Sequence, residues 1–307
     1  MNVKPQLSIG LPVYNGEKTI GQSIDSLLKQ DFEDLELIIS DNGSTDRTQD
    51  ICREYAQKDR RVKYYRNKIN QGPIWNFNNV FQLASADYFM WASHDDYWAP
   101  AYLQTCLEAL DRSDAVILAG CTCESIDAVT SQIILTDPGV TTVGLKPEVR
   151  FRCYKQALHT GKNINALFYG IYRKDHLAQV MPLRNILAID QILLAQLSLS
   201  GEFLTSEKRL MVKRWGGGSA SLKKSAQMMR ITNPLFVHFA YLVRESILQR
   251  VIYTSDSLNF LGKINLSIWS WGNYLILFLR LRYRFVRDFI KSMLGFIFRK
   301  ERAPVSS

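Results

Sequence analysis

Over the first 120 residues, short apolar runs of β-type residues alternate with longer helical stretches, and no other feature of the chain restricts its fold as much. LSIGLP, LELIIS, VKYYR, DYFMWAS and AVILAGC read as strands, and the stretches opening near Lys18, Arg47, Pro73 and Pro100 read as helices. Parallel neighbours need a crossover connection, and a helix is the usual one. The expected fold class is therefore α/β, with a mostly parallel central sheet covered by helices on both faces. Ligands of such sheets bind at the carboxyl ends of the strands. Polar residues crowd at those ends: Tyr14, Asn15 and Glu17 after the first strand, Asp41 to Asp46 after the second, His94 to Asp96 after the fourth. One crevice collecting all three clusters is expected.

The rest of the chain is less regular. From about Ser125 to Arg150 the sequence is mixed and strand-poor, then helical and short extended segments run to Trp215, and GlyGlyGlySer at 216 to 219 is the clearest break. The net charge of +9 conceals an asymmetry across that break. Up to Glu207 there are 20 basic and 25 acidic residues, and after it 18 basic and 4 acidic. Two parts are expected: an α/β domain over 1–215 and a helical, basic region over 216–307. With 47% apolar and 22% charged residues the chain can form a packed core, which excludes global disorder. Five cysteines without a CxxC pair fit a reducing compartment, and Cys121 and Cys123, two apart, read as strand residues, not zinc ligands.

The N-terminal MNVKPQLSIGLPVYNG has no continuous apolar segment of the signal-peptide type, so a cytoplasmic location is expected. Ile264 to Leu279 is 16 residues long and contains Asn265, Ser267, Ser270, Gly272 and Asn273, short of the roughly 20 apolar residues that span a bilayer. Arg280 to Arg302 holds 8 basic and 2 acidic residues interleaved with aromatic and aliphatic ones, the pattern of an interfacial helix. Peripheral attachment to an anionic membrane surface, on the inner face of the cell membrane, is the expectation. The alternative is packing on the α/β domain or on a second subunit. Nucleic acid is not an expected partner, because the basic residues alternate with long aliphatic runs and no named nucleic-acid motif occurs.

Three motifs carry candidate chemistry. DNGSTD, Asp41 to Asp46, reads locally as a turn and helix cap, yet capping does not explain an aspartate at the strand's end, where a carboxylate can accept hydrogen bonds from a base or ribose. SHDDYW, Ser93 to Trp98, sets two acids side by side after an apolar strand. Their repulsion and desolvation call for a cation, and a magnesium or manganese ion bridging to a diphosphate supplies one. Asp190 lies in the apolar run ILAIDQILLAQL, where a helix cap, a surface residue and a general base of raised pKa are all open.

Taken in order, PVYNGEKTI, DNGSTDRTQDI, NQGPIWNFNNVFQLASADYFMWASHDDYW, YGIYRKDHL and IDQILLAQLSLSGEF closely resemble glycosyltransferase family 2, the inverting nucleotide-sugar transferases with a GT-A fold. The resemblance covers roughly residues 6 to 215. No GxGxxG follows the first strand and no GxxxxGK[ST] occurs. The resemblance implies that Pro12, Tyr14, Asn15 and Glu17 border the nucleotide pocket and that Asp41, with Asn42, contacts base and ribose. It makes Asp95 the sugar-proximal acid, Asp96 the ligand of Mn2+ or Mg2+, and Asp190 the catalytic base. Ser93 departs from the family by replacing a first acid, and Trp215 by standing where some members place a histidine. The implied activity moves a sugar from a nucleotide-sugar, UDP-linked by family preference, to a hydroxyl of a saccharide or lipid-linked acceptor in bacterial surface polysaccharide synthesis. A binding protein without turnover is the competing reading, and the intact Asp96 and Asp190 argue against it.

Overall fold

The structure is a computed structural model that describes residues 4–159, 164–215, 227, 229–230 and 240–275. Its first part follows the alternation closely: β1 (Leu7–Val13), α1 (Ile20–Leu28), β2 (Leu35–Asp41), α2 (Thr48–Lys58), β3 (Val62–Arg66), α3 (Pro73–Leu83), β4 (Tyr88–Trp91), the short β5 (Tyr97–Trp98), and α4 (Tyr102–Leu110). Then come β6 (Val116–Asp127), β7 (Ile133–Asp137), α5 (Pro147–His159), a 3-10 turn (Ile164–Tyr169), β8 (Ile171–Arg173), α6 (Lys174–Ala178), α7 (Ile189–Ser200) and β9 (Glu202–Trp215). Two further helices follow, α8 (Ala240–Thr254) and α9 over 260–275.

The strands form one sheet in the order β3-β2-β1-β4-β8-β6-β9-β5, with β7 on β6. The four strands β3, β2, β1 and β4 are mutually parallel, as is the pair β6 and β9. β8 runs antiparallel between β4 and β6, and β5 antiparallel to β9. After β3 the chain crosses back to the other side of β1, so β1 lies between β2 and β4. In such sheets ligands bind where the strand order reverses, here at the carboxyl ends of β1, β2 and β4. Pro12 fits there because β4 pairs with β1 only as far as Gly10, and beyond that point no ladder bond is asked of the missing N–H.

Helices cover both faces. One core joins α1, α2 and α4 to the sheet through residues such as Ile24, Leu27, Cys52, Leu103 and Leu107, and the other joins α3, α5, α7 and α8 through Val80, Phe151, Leu193, Leu197 and Leu248. In the second core the Trp91 indole lies flat on Phe168, centroids 4.8 Å apart and planes at 3°. All five cysteines are free, with Cys121 and Cys123 on β6.

Two features differ from the sequence reading. The stretch after Ser125 contains a strand, β7, which the sequence hides because most of IILTD is exposed and its pairing with β6, not burial, makes it extended. The basic region also begins differently from its composition. Leu248, Ile252, Leu258 and Leu266, from α8, α9 and the turn between them, enter the second core. A buried ion pair fastens them: Lys155 Nζ of α5 donates to both oxygens of Glu245 at 2.7 Å and is also bonded to the Ser270 hydroxyl. Both members are almost fully enclosed, so removing one would leave an uncompensated charge. The GlyGlyGlySer break and the Arg280 to Arg302 stretch lie outside the described residues.

Candidate active site

The loops after β1 and β2 are zipped together by side chains that the DNGSTD and PVYNGE motifs supply. Asn15 N–H donates to Ser44 Oγ at 2.9 Å, and Asn15 Oδ1 accepts from Thr45 N–H at 2.9 Å. Glu17 N–H donates to Asp46 Oδ2 at 3.1 Å, while Glu17 Oε2 accepts from Arg47 N–H at 3.1 Å. Asn15 takes a positive φ of 53°, which asparagine tolerates better than most residues. Gly43, at φ 75°, passes so close to the next loop that a Cβ there would lie 2.9 Å from the Ile69 carbonyl carbon. Tyr14 stays exposed at the rim and Pro12 is buried below it.

Asp41 is fully buried at the end of β2. Its Oδ1 accepts from Ser44 N–H at 2.8 Å, and its Oδ2 from Tyr64 Oη at 2.8 Å and Arg66 Nε at 3.3 Å. Asn42 uses its whole amide on the following loop: Nδ2 donates to Asn70 Oδ1 and Gly72 O, and Oδ1 accepts from Asn67 Nδ2 and Gln71 N–H, all at 3.0 Å. In this state the two residues shape the wall that loop 67–72 forms. Arg230 Nη2 donates to the Asn70 carbonyl and Asn185 Nδ2 to the Met229 carbonyl, both at 2.9 Å, so residues 229–230 lie beside that loop and the one leading to α7.

The third cluster follows β4. His94 Nδ1 lies 3.1 Å from Thr19 Oγ1, and the Ser93 carbonyl accepts from Ser23 Oγ at 2.8 Å, which ties this loop to α1. Ser93 Oγ bonds Asp95 Oδ1. Asp96 is only 4% exposed. Its Oδ1 accepts from Arg214 N–H at 3.2 Å, because β5 pairs with β9 directly after it. Burial pushes the Asp96 carboxyl up to about 7, against the pull of Lys213, and neighbouring Asp95 adds to the rise.

Asp190 stands in the first turn of α7, next to a left-handed Ala188. It keeps a partly open surface, yet its surroundings are dense enough that burial raises its pKa, opposed by the Gln191 N–H and by the charges of Lys213 and Arg244. Arg244 reaches α7 from α8, its Nη1 donating to Gln191 Oε1 at 2.6 Å. Asp190, Asp95 and Asp96 all act electrostatically on Tyr169, whose hydroxyl is driven well up, first by burial and then by these acids. The charges of the acids after β4 and on α7 are thus all felt at one hydroxyl.

That shared field shows two residues the sequence reading passed over. Tyr169 closes the 3-10 turn, which is held by Asp137 Oδ2 accepting from Ala166 N–H at 3.3 Å. Lys213, on β9, places its ammonium 4.7 Å from the centre of the Tyr169 ring, where its charge acts on Asp96, Asp137 and Asp190 together. A cleft of about 1070 Å³ lies at the opposite ends of the strands around Lys4, Glu36 and Lys63, away from these acids.

The residues fit a divalent cation. Asp95 and Asp96 offer adjacent hard oxygens, and a bound cation would oppose the rise that burial imposes on Asp96. Among the described residues no group of three or more His, Cys, Asp or Glu is arranged to hold a metal. Two adjacent carboxylates suit an ion shared with phosphate oxygens, the habit of magnesium sites.

The sequence profile of Glycosyl transferase family 2 matches residues 8–179, more than half of the chain. The chain belongs to this family. Among curated relatives, the GalNAc(5)-diNAcBac-PP-undecaprenol beta-1,3-glucosyltransferase of Campylobacter jejuni is 27% identical over 176 residues, 54% of this chain and 57% of that protein. An uncharacterized glycosyltransferase of Haemophilus influenzae is 36% identical over 116 residues, 38% of this chain and 46% of that protein. The chain thus spans about half the length of these relatives. Among solved structures, residues 1–349 of S. aureus TarS in complex with UDP-GlcNAc align with a TM-score of 0.61 at 19% identity, covering 85% of this chain and 70% of that one. The mannosyltransferase PcManGT from Pyrobaculum calidifontis, in complex with GDP-Man and Mn2+, aligns at 0.53 and 15% identity over 90% of this chain and 81% of that one. These likenesses establish the GT-A fold. Family 2 membership and this fold bear out the resemblance read from PVYNGEKTI, DNGSTDRTQDI and SHDDYW.

Proposed function

We propose that this family 2 chain transfers a sugar from a nucleotide-sugar, UDP-linked, to a hydroxyl of a saccharide or lipid-linked acceptor, with inversion at the anomeric carbon. The observation that carries the reading is the gathering of the polar loops after β1, β2 and β4 at one end of the sheet, with buried Asp96 bonded to the Arg214 N–H of β9 and the neighbouring Lys213 of that strand over the Tyr169 ring. One end of such a site can hold a leaving diphosphate and the other can take a proton.

In this mechanism the loops after β1 and β2, with Pro12, Tyr14, Asn15, Glu17, Asp41 and Asn42, border the nucleoside, and Asp95 meets ribose or sugar. Asp96 would hold Mn2+ or Mg2+, which would supply positive charge to the leaving diphosphate. Asp190 accepts the acceptor's hydroxyl proton while the new oxygen–carbon bond forms from the face opposite the diphosphate and the old one breaks. Lys213 keeps Asp190 electrostatically biased toward the ionised form such a base requires. The neighbours' complexes with UDP-GlcNAc and GDP-Man support a nucleotide-sugar donor, and the undecaprenol-linked acceptor in the name of the Campylobacter relative supports a lipid-linked one. Action at the inner face of a membrane follows from that acceptor. Among the described residues no helix is long and apolar enough to cross a membrane.

A thermal-shift series with UDP, GDP and dTDP, each with and without Mn2+, tests the donor assignment. Binding to the native state raises apparent stability by about 2.7 kcal/mol at a hundredfold excess over Kd. UDP with Mn2+ is expected to give the largest rise. No rise with any of the three would overturn the nucleotide-sugar reading.

A further inference from the structure

Among the described residues, one face of helix α9 packs on the protein and an apolar face on another side does not. Leu266, Ser267 and Ser270 point inward, and Ser270 closes the buried Lys155–Glu245 pair that fixes the helix to α5 and α8. Arg152 covers the Trp269 ring from 5.4 Å. On another side, Phe260 is 76% exposed, Leu261 70%, Ile268 68%, Trp271 40% and Leu275 55%. At 100° per residue, these five and half-buried Ile264 fall within one stripe about 100° wide. Scattered surface hydrophobes are ordinary, but a continuous stripe along one rigidly held helix is not.

We infer that this stripe of α9 is the face by which the protein lies on an anionic lipid surface. The inference rests on the membrane-borne acceptor read above and assigns the docking residues. Charge selects the occupant. Over 260–275 the only charged residue is Lys263, and no acid is present to repel lipid phosphates. The sequence that follows carries 8 basic and 2 acidic residues between Arg280 and Arg302. Apolar burial at the headgroup boundary and attraction of a polybasic segment are the two signals that stable peripheral binding needs. A second copy fits less well, since two chains each of net charge +9 repel one another. The anchoring to α5 makes the stripe part of the catalytic body, so docking orients the active site as well as localising it.

The test is co-sedimentation of the full chain with vesicles of phosphatidylcholine alone and with phosphatidylglycerol added. Wild type is compared with the double variant Ile268→Glu, Trp271→Glu. Both positions are exposed, so the fold and the UDP-induced thermal shift should be unchanged. Wild type should pellet with the anionic vesicles at low salt, and the variant should bind more than about tenfold more weakly. Equal pelleting of variant and wild type would overturn the docking face while leaving the membrane-borne acceptor intact. Wild type remaining in the supernatant would likewise overturn the docking face. Either of two other results in the variant also defeats the inference. A fall of several degrees in Tm would mean that another segment of the chain covers the stripe, and a dimer-to-monomer change in light scattering would mean that a second copy does.

Discussion

Asp190→Asn should lower kcat by roughly 10² to 10⁴ while leaving donor affinity nearly unchanged, since it keeps shape and removes the general base. Asp190 lies in the first turn of α7, where a carboxylate also favours the helix N-terminus. That local role is worth only about 0.3 to 1 kcal/mol, so a purely structural aspartate would shift Tm slightly and leave turnover within a few fold. Wild type should show a matching pH dependence. A base must be ionised, and burial raises this one, so kcat/KM should fall on the acid side through an ionisation above the usual carboxylate range. In Asp190→Asn that limb should vanish with the rate.

Asp96→Ala should abolish metal-dependent UDP binding and leave the fold intact, because it removes the buried oxygen ligand assigned to the metal. UDP affinity should then be the same with and without Mn2+, whereas Asp95→Ala should give a milder loss. A second readout comes from stability. The folded value of about 7 lies above the ordinary 3.8, so the native state holds this proton more tightly than the unfolded chain. The cost of ionising it is absent below about pH 4, grows through the interval and is complete above about 7. Metal-free Asp96→Asn should therefore gain stability over wild type at pH 8 and little at pH 4. Manganese-dependent UDP affinity unchanged by Asp96→Ala would remove the metal assignment.

The polar clusters were legible because each follows its strand directly. SHDDYW, DNGSTD and PVYNGE need only the strand reading to be set at one end of the sheet, and the parallel order β2-β1-β4 brings them together. Lys213 and Tyr169 carry no such local mark. Arg214 reaches Asp96 across 118 positions, through pairing of a two-residue strand with β9, and no periodicity reports a contact of that range. Nor could sequence tell that the DNGSTD acids are engaged by protein groups, with Asp41 held by Tyr64 and Arg66. In the basic third, composition counts Glu245 among four acids but cannot show that it is the buried partner of Lys155, which ties α8 and α9 to the body.

The stereochemistry of transfer tests the central claim most directly. The full chain, Mn2+ and the UDP-sugar donor that binds are incubated with a saccharide acceptor, and the new linkage is read from its anomeric proton by NMR. Displacement assisted by Asp190 from the face opposite the diphosphate predicts a β linkage from an α-linked donor, with one UDP released per bond formed. An α linkage, or UDP release with no glycoside formed, would contradict it.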